Sequence, residues 1–460
     1  MAIDTIGKCT FVGGTHPPQS KQLTCESPIQ QGPAAKQVTI MLCQHIGAPC
    51  RPLVNKGDMV RAGQKIGDSD AFVCAPVHSP VNGKVKEITL ASHIVLGRSP
   101  AIIIDVDLEQ NQTKQQAAEK FTADFDESRY SSEQICDAVR QGGLVGMGGA
   151  GFPTRVKIEP NPKSPKDTLI INGCECEPYI TSDYRIMLEW TNQIVAGVKL
   201  IARASGCKKV YFGIEDNKPK AIEAMTEAFG SVAGSDYEVK VVPVKTKYPQ
   251  GGERQLIQAV LGETVPTGGI PPMIGVVVSN VATAAAVAEA VVCDWPLTHR
   301  VVTVTGEAIA QPGNYYTPIG TPVGELIEFC GGLTEKGAKV VFGGPMMGIA
   351  IADLNTPITK TSGAITVLTK DQVGRAKFAG QQTPCIRCGR CIEVCPENLN
   401  PTRIAHAVKY NMLDVAQDYY MIGCIECGCC SYVCPANIEL TGLIKTGKIY
   451  LARQKNKMPQ

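Results

Sequence analysis

Cysteines at Cys385, Cys388, Cys391 and Cys395 lead into Pro396, and the same spacing recurs at Cys424, Cys427, Cys430 and Cys434 before Pro435. Three closely spaced thiols on a tight loop can wrap three corners of an iron–sulfur cubane. The fourth, on a following short helix, reaches across to the neighbouring cluster. The spacing therefore assigns Cys385, Cys388, Cys391 and Cys434 to one [4Fe–4S] cluster, and Cys424, Cys427, Cys430 and Cys395 to a second. Two structural zinc sites would instead ask for four ligands per closed site, usually as Cys-x2-Cys pairs. Cys429 is surplus to both clusters and reads as a packing residue beside Cys430. Two adjacent one-electron centres form a wire, and the rest of the chain should contain one of its ends.

With 460 residues the chain is too long for one ordinary domain, and three or four are expected. Its net charge of +2, with the two signs mixed, gives no footing for nucleic acid. Of its 20 cysteines, eight are in cluster spacing and the others are scattered; Cys9, Cys25, Cys43, Cys50 and Cys74 crowd the first quarter without a recognisable metal spacing. A reducing, cytoplasmic setting fits this usage. The first residues lack the apolar core of a signal peptide. The longest apolar run, Ile274 to Cys293, is interrupted by Ser279, Asn280, Thr283 and Glu289. It divides better into a buried strand over 274–278, a polar turn and an Ala-rich helix, so no membrane span is expected.

Residues 1–36 read as an ordered arm around Gly13-Gly14-Thr15-His16-Pro17-Pro18, with His16 as a turn residue. Residues 37–106 alternate short β-branched runs with Gly-Asp and Asn-Gly turns, the pattern of a small barrel or sandwich. This part resembles the lipoyl/biotinyl carrier fold. Val77-His78-Ser79-Pro80 stands where that family carries its cofactor-bearing lysine, so the module is read as docking or structural. Residues 107–130 are a polar linker, and Ser131-Ser132-Glu133-Gln134 opens a helix whose apolar face is Ile135, Ala138 and Val139.

That helix runs into a glycine-rich stretch, Gly142 to Thr154. Gly146 to Gly151 satisfies G-x-G-x-x-G, but a helix precedes it and Pro153 follows, whereas the dinucleotide fingerprint needs a strand before and a helix after. What the glycines supply is bare backbone, whose N–H groups can converge on a phosphate and admit a flat ring. Next, a buried strand ends in Asn172, Glu175 and Glu177, where α/β sheets place ligand residues. A helix over 185–204, a strand over 209–214, a helix over 219–229 and a strand over 238–244 continue an α/β alternation. Tyr248-Pro249-Gln250-Gly251-Gly252-Glu253-Arg254 then opens a further helix.

Taken together, Gly146-x-Gly148-Gly149-Ala150-Gly151-Phe152-Pro153-Thr154-x-x-Lys157, Asn172-x-x-Glu175-x-Glu177-Pro178, Tyr248-x-x-Gly251-x-Glu253 and Asn280-x-x-Thr283 resemble the FMN- and NADH-binding subunit of respiratory complex I. The resemblance covers roughly 140–295. It implies non-covalent FMN on Gly146, Gly148, Gly149, Gly151, Lys157, Asn172, Glu175, Tyr248, Gly251, Asn280 and Thr283. It implies NAD(H) on Phe152, Glu177 and Glu253, with the ring of Phe152 against the nicotinamide nucleotide. Gly252 departs from the family's usual glutamate. No catalytic group beyond these cofactor contacts is expected.

The implied fold is multidomain, α/β plus β. It has an arm (1–36), a lipoyl/biotinyl-like barrel-sandwich (37–106), a linker (107–130), a Rossmann-like FMN/NADH domain (131–296) and a β-grasp (SLBB) domain (297–356). A connecting segment (357–378), a two-[4Fe–4S] ferredoxin-like helical domain (379–445) and a basic tail (446–460) complete it. The tail's Lys445, Lys448, Arg453, Lys455 and Lys457 suit a solvated end or an anionic contact. The β-grasp module, Met346-Met347 included, shows no chemistry of its own. This order resembles the C subunits of Rnf complexes, the ion-translocating ferredoxin:NAD+ oxidoreductases, whose long Ala/Lys-rich extension is not seen here. The resemblance implies an NADH:acceptor oxidoreductase subunit that meets membrane and peripheral partners at the cytoplasmic face and exchanges electrons ultimately with ferredoxin. Two alternatives are a corrin reductase of propanediol microcompartments, and a relay or scaffold that binds no nucleotide.

Overall fold

A computed structural model describes residues 9–109, 118–122, 124–230, 237–334, 339–374 and 382–457. Within the expected linker, residues 110–117 and 123 lie outside the described residues. So do 375–381 and the side chains of Lys455 and Lys457.

The flavin-type domain is built on a four-stranded parallel sheet in the order Glu238–Val244, Lys209–Glu215, Thr168–Asn172, Val276–Asn280. In chain order this is 3-2-1-4, the doubly wound arrangement, and its direction reverses between the last two strands. The first strand is buried almost throughout, as a parallel strand covered on both faces must be. The apolar run divides as expected, two residues later: Pro271–Ile274 form a 3-10 turn, and the strand is Val276–Asn280. Asn280 caps the following helix, Val281–Cys293, by accepting from the Ala282 and Thr283 amides. The helix expected over 185–204 is two helices, Ser182–Glu189 and Thr191–Ser205, hinged at Trp190. Ser131 and Gln134 close a capping box on Ser132–Gln141, whose Ile135, Cys136 and Val139 are buried.

The N-terminal barrel-sandwich pairs Gln37–Met41, Gly97–Val106, Gly83–His93 and Met59–Val60 in one sheet. Arg51–Pro52, Lys65–Asp68 and Val77–His78 form the other. It is not a bead on a string. Val38, Ile40, Ile66, Val77 and Ile104 belong to the same buried cluster as Ile135, Leu169 and Val281, and Arg140 pairs with Asp68 at 2.7 Å.

Two expected boundaries differ. The segment 357–378 is not a connection: Ala364–Leu368 is an inner strand of the β-grasp sheet, parallel to Thr303–Thr305 and antiparallel to Lys339–Phe342. Its β-branched, buried pattern is that of a core strand. The arm also joins this sheet, since Ile29–Gln31 pairs in parallel with Asn314–Tyr316 at the edge. Asn314 is the fastening. Its Nδ2 donates to the Thr24 and Ser27 carbonyls at 3.0 and 3.1 Å. Its Oδ1 accepts from the Thr181 and Thr303 hydroxyls at 3.0 and 2.8 Å.

The cluster segment is a duplicated loop-and-helix unit. Arg387 and Glu426, each the third residue of a Cys-x2-Cys turn, both take φ of +58°, and their amides point at Cys385 Sγ and Cys424 Sγ at 3.4 and 3.3 Å. Pro401–Lys409 and Leu440–Lys457 pack together beneath the loops. Lys445 and Lys448 are paired with Glu426, so part of the tail's charge is already met. Among the described residues no helix is long and apolar enough to cross a membrane.

Asn314→Ala removes four hydrogen bonds at the buried end of the arm, worth about 3 kcal/mol together. Hydrogen exchange of the Thr24 and Ser27 amides should accelerate about 100-fold, with the Thr191–Ser205 helix unchanged. Equal protection in wild type and variant would contradict the fastening.

Candidate functional site

The two sheet strands that meet at the switch point end in register, Asn172 opposite Asn280. Ligands of doubly wound sheets bind in the crevice outside this edge. Asn172 Nδ2 donates to the Gly251 carbonyl at 2.8 Å, and its Oδ1 accepts from the Cys174 amide at 3.1 Å, so Asn172 and Gly251 form one wall. Asn280 Nδ2 donates to Asp183 Oδ2 at 2.6 Å.

The glycine loop lies over this edge. Val145 bridges to Pro153, and the Gly146 amide donates to the Phe152 carbonyl at 2.8 Å, closing residues 146–152 into a lobe. The Met147 amide donates to Thr283 Oγ1 at 2.9 Å, fixing the lobe's underside. A Cβ at Gly148 would stand 3.0 Å from Asn280 Cβ, so only glycine lets the loop settle this close. Gly148, Gly149 and Ala150 remain exposed above, and Gly151 is buried below. Lys157 reaches Glu253 at 2.8 Å and the Val278 carbonyl at 3.2 Å. Bare backbone, a lysine and an asparagine edge are what a phosphate and a flat ring call for, so the residues present fit FMN.

Four expected contacts are placed differently. Tyr248 is 1% exposed and donates its hydroxyl to the Cys427 carbonyl at 2.8 Å; a ring so covered cannot touch a flavin. Glu177 accepts from the Met346 and Met347 amides at 3.1 and 2.8 Å, and burial pushes its carboxyl up to about 7. It docks the turn of the β-grasp domain and does not stand free for a ribose. Glu175 accepts from the Asp183 and Tyr184 amides at the start of Ser182–Glu189, with burial raising its carboxyl. Thr283, 2% exposed, acts through Met147. Phe152 is half-buried on the lobe.

Three residues without a sequence signal belong to the site. Asp183, half-buried, is held by Asn280, and burial raises its carboxyl. Arg300 comes from the β-grasp strand His299–Thr305, yet its Nη2 donates to the Met147 carbonyl at 3.1 Å and its Nη1 to that of Lys360. Burial lowers its pKa to about 10, against the attraction of Asp183. The β-grasp module thus does reach the site. Lys21 of the arm donates to the carbonyls of Glu175, Glu177 and Ile180 at 2.7, 3.0 and 2.7 Å, pinning the loop after Asn172.

The cysteines come together as the spacing assigned for one cluster. Cys395, Cys424, Cys427 and Cys430 line a single cavity with Pro396, Leu399 and Ile444. The Glu426 and Leu399 amides donate towards Cys424 and Cys395 sulfurs at 3.3 Å each. Four convergent thiols with amide donors fit a cubane. Of the other four, Cys385 and Cys388 are exposed, Cys391 is buried and Cys434 is half-buried. Cys429 is completely buried against Tyr248 and also lines this cavity.

This cavity borders the flavin-type domain and holds the inner of the two cysteine sets. Around it Gln255 donates to Glu397 at 2.7 Å, and Arg254 pairs with the same carboxylate at 3.1 Å. The arm threads this seam: the Gly14 amide donates to the Val394 carbonyl at 2.8 Å, and Thr15 bridges to Tyr248. At Gly13, φ is +81° and a Cβ would lie 2.8 Å from the Cys395 carbonyl oxygen.

Cys395→Ala should abolish the signal of the cluster held by Cys424, and Cys434→Ala that of the cluster held by Cys391. Iron analysis and EPR of the reduced variants check this, and the reverse pattern would contradict the crossed arrangement.

Residues 139–289 match the Nuo51 FMN-binding domain, 9–109 the RnfC barrel sandwich hybrid domain, 301–350 the SLBB domain and 381–438 the 4Fe-4S dicluster domain. A solved chain of an NAD+-reducing [NiFe]-hydrogenase superposes with a TM-score of 0.48 at 22% identity, over 68% of this chain and 56% of that one, a likeness too partial to bear on function. Over 411 residues the chain is 43% identical to the C subunit of the proton-translocating ferredoxin:NAD(+) oxidoreductase complex of Clostridium ljungdahlii, covering 89% of this chain and 87% of that one. Over 405 residues it is 40% identical to the C subunit of the Na(+)-translocating complex of Acetobacterium woodii, covering 88% of each. With an FMN-binding domain, a dicluster domain and relatives matched over most of their length, the chain belongs to the family of C subunits of ion-translocating ferredoxin:NAD(+) oxidoreductases, the Rnf family.

Proposed function

We propose that this chain is the NAD(H)-facing subunit of a membrane-bound ferredoxin:NAD+ oxidoreductase. It passes electrons between NAD(H), FMN and its two clusters, and partner subunits couple the flow to ion translocation. The observation that carries the reading is the shared wall between the flavin cradle and the inner cluster cavity. Gly251, on the cradle, lies three residues from Tyr248, whose hydroxyl is bonded to Cys427.

Bound FMN supplies one chemistry, exchange of a hydride on one side and of single electrons on the other. The chain's residues position it. Gly146, Gly148, Gly149 and Gly151 present backbone to phosphate and ring, and Lys157 and Asn172 supply a charge and an amide at the sheet edge. Gly251 keeps that wall free of side chain. Asn280 and Thr283 hold the lobe from below, and Glu175, Glu177 and Tyr248 hold the surrounding loops. Phe152 and Glu253, at the open side, face the nicotinamide nucleotide. Cys395, Cys424, Cys427 and Cys430 would hold the cluster nearer the cradle, and Cys385, Cys388, Cys391 and Cys434 the outer one, each supplying one-electron exchange. The exposure of Cys385 and Cys388 suits exchange with a partner. The chain works peripherally at the cytoplasmic face, held by membrane and peripheral subunits, with ferredoxin as the ultimate electron partner.

The purified protein, supplied with FMN and rebuilt clusters, should bleach its flavin with NADH and reduce ferricyanide. Gly148→Val should lose FMN about tenfold or more while iron stays full, because the added side chain must displace Asn280 or the loop. No bleaching in the wild type would favour a scaffold that binds no nucleotide.

A further inference from the structure

We propose that His45, Cys50 and Cys74 bind a zinc ion that fastens the barrel-sandwich to the back of the glycine loop. All three residues are buried, and their ligand atoms lie within 4.8 Å of one another. Cys50 Sγ and Cys74 Sγ are 3.8 Å apart. Disulfide sulfurs stand at about 2.0 Å. Two thiolates each about 2.3 Å from a tetrahedral zinc are separated by about 3.8 Å. The pair is spaced for a metal between them.

The imidazole is incompletely satisfied. His45 Nε2 lies 3.0 Å from the Ala48 carbonyl and 3.3 Å from the Ala75 amide, which ask for opposite tautomers. Nδ1 is buried without a hydrogen-bond partner. A metal on Nδ1 would occupy the unpartnered nitrogen and fix the tautomer in which Nε2 donates to Ala48, the usual outer partner of a metal-bound histidine.

Beside the site, Lys360 is buried, and its Nζ donates to the carbonyls of Pro76 and Gly143, both at 2.6 Å. One imidazole and two thiolates are donors that suit zinc. The fourth position is left to solvent or to Cys43, on the same loop. The ion would tie 45–50 to 74, directly behind the cradle: the Ile46 amide donates to the Gly151 carbonyl at 3.2 Å, and Gln44 Oε1 accepts from the Lys360 amide at 2.9 Å.

The test is metal analysis of anaerobically purified holoprotein carrying about eight irons per chain. One zinc per chain should survive dialysis against EDTA, with an X-ray absorption edge showing two or three sulfurs and at least one nitrogen. Cys50→Ser and Cys74→Ser should each lower zinc about tenfold or more with iron unchanged. Iron-replete wild type with less than about 0.1 zinc would overturn the proposal. So would zinc retained by both variants, or a shell of four sulfurs, which would place it in a cluster site. Should the variants fail to fold, the wild-type zinc content and absorption spectrum decide.

Discussion

The parallel pairing of Thr168–Asn172 with Val276–Asn280 sets everything else in the site. Because the two strands end in register, two asparagines stand side by side where the sheet's winding reverses. Asn280 then has three tasks at once: it caps a helix, holds Asp183 and forms the floor beneath Gly148. A slip of Val276–Asn280 by one residue would turn Asn280 to the opposite face of the sheet and leave the glycine loop without a floor.

Around that edge, the chain uses distant segments as fasteners. Lys21 and Asn314 bind the arm to the flavin-type and β-grasp domains, and Gly14 and Thr15 bind it to the cluster loops and Tyr248. Each bond is modest, on the order of 1 kcal/mol net. Where breaking one leaves a buried polar group unpaired, the cost exceeds what the bond itself contributed. The seam at Tyr248 is therefore stiff where electron transfer needs a short, constant separation between cradle and inner cluster.

Much of this was legible from the sequence because spacing alone carries it. The cysteine repeat was enough to group Cys395 with Cys424, Cys427 and Cys430, since a thiol displaced along a short helix cannot return to its own loop. The glycine run and the strand ending at Asn172 marked the cradle. What was not legible depends on contacts between segments far apart in the chain. Nothing near Glu177 shows that Met346 and Met347 will occupy its carboxylate, and nothing near Arg300 shows that it will reach Met147. Tyr248 carries a family motif, yet its ring is spent on the cluster domain. The strand Ala364–Leu368 went unread because it lies past the segment that looked complete. His45, Cys50 and Cys74 have no motif spacing because loops of different strands bring them together.

The central claim is an order: cradle, then the cluster of Cys395, Cys424, Cys427 and Cys430, then the outer cluster. Freeze-quench EPR after mixing holoprotein with NADH tests it directly. With the outer cluster removed by Cys388→Ala, the inner cluster should still be reduced at the wild-type rate. With the inner cluster removed by Cys427→Ala, the outer one should stay oxidised on the same timescale, although dithionite reduces it. Rapid reduction of the outer cluster by NADH in the Cys427→Ala protein would contradict the account.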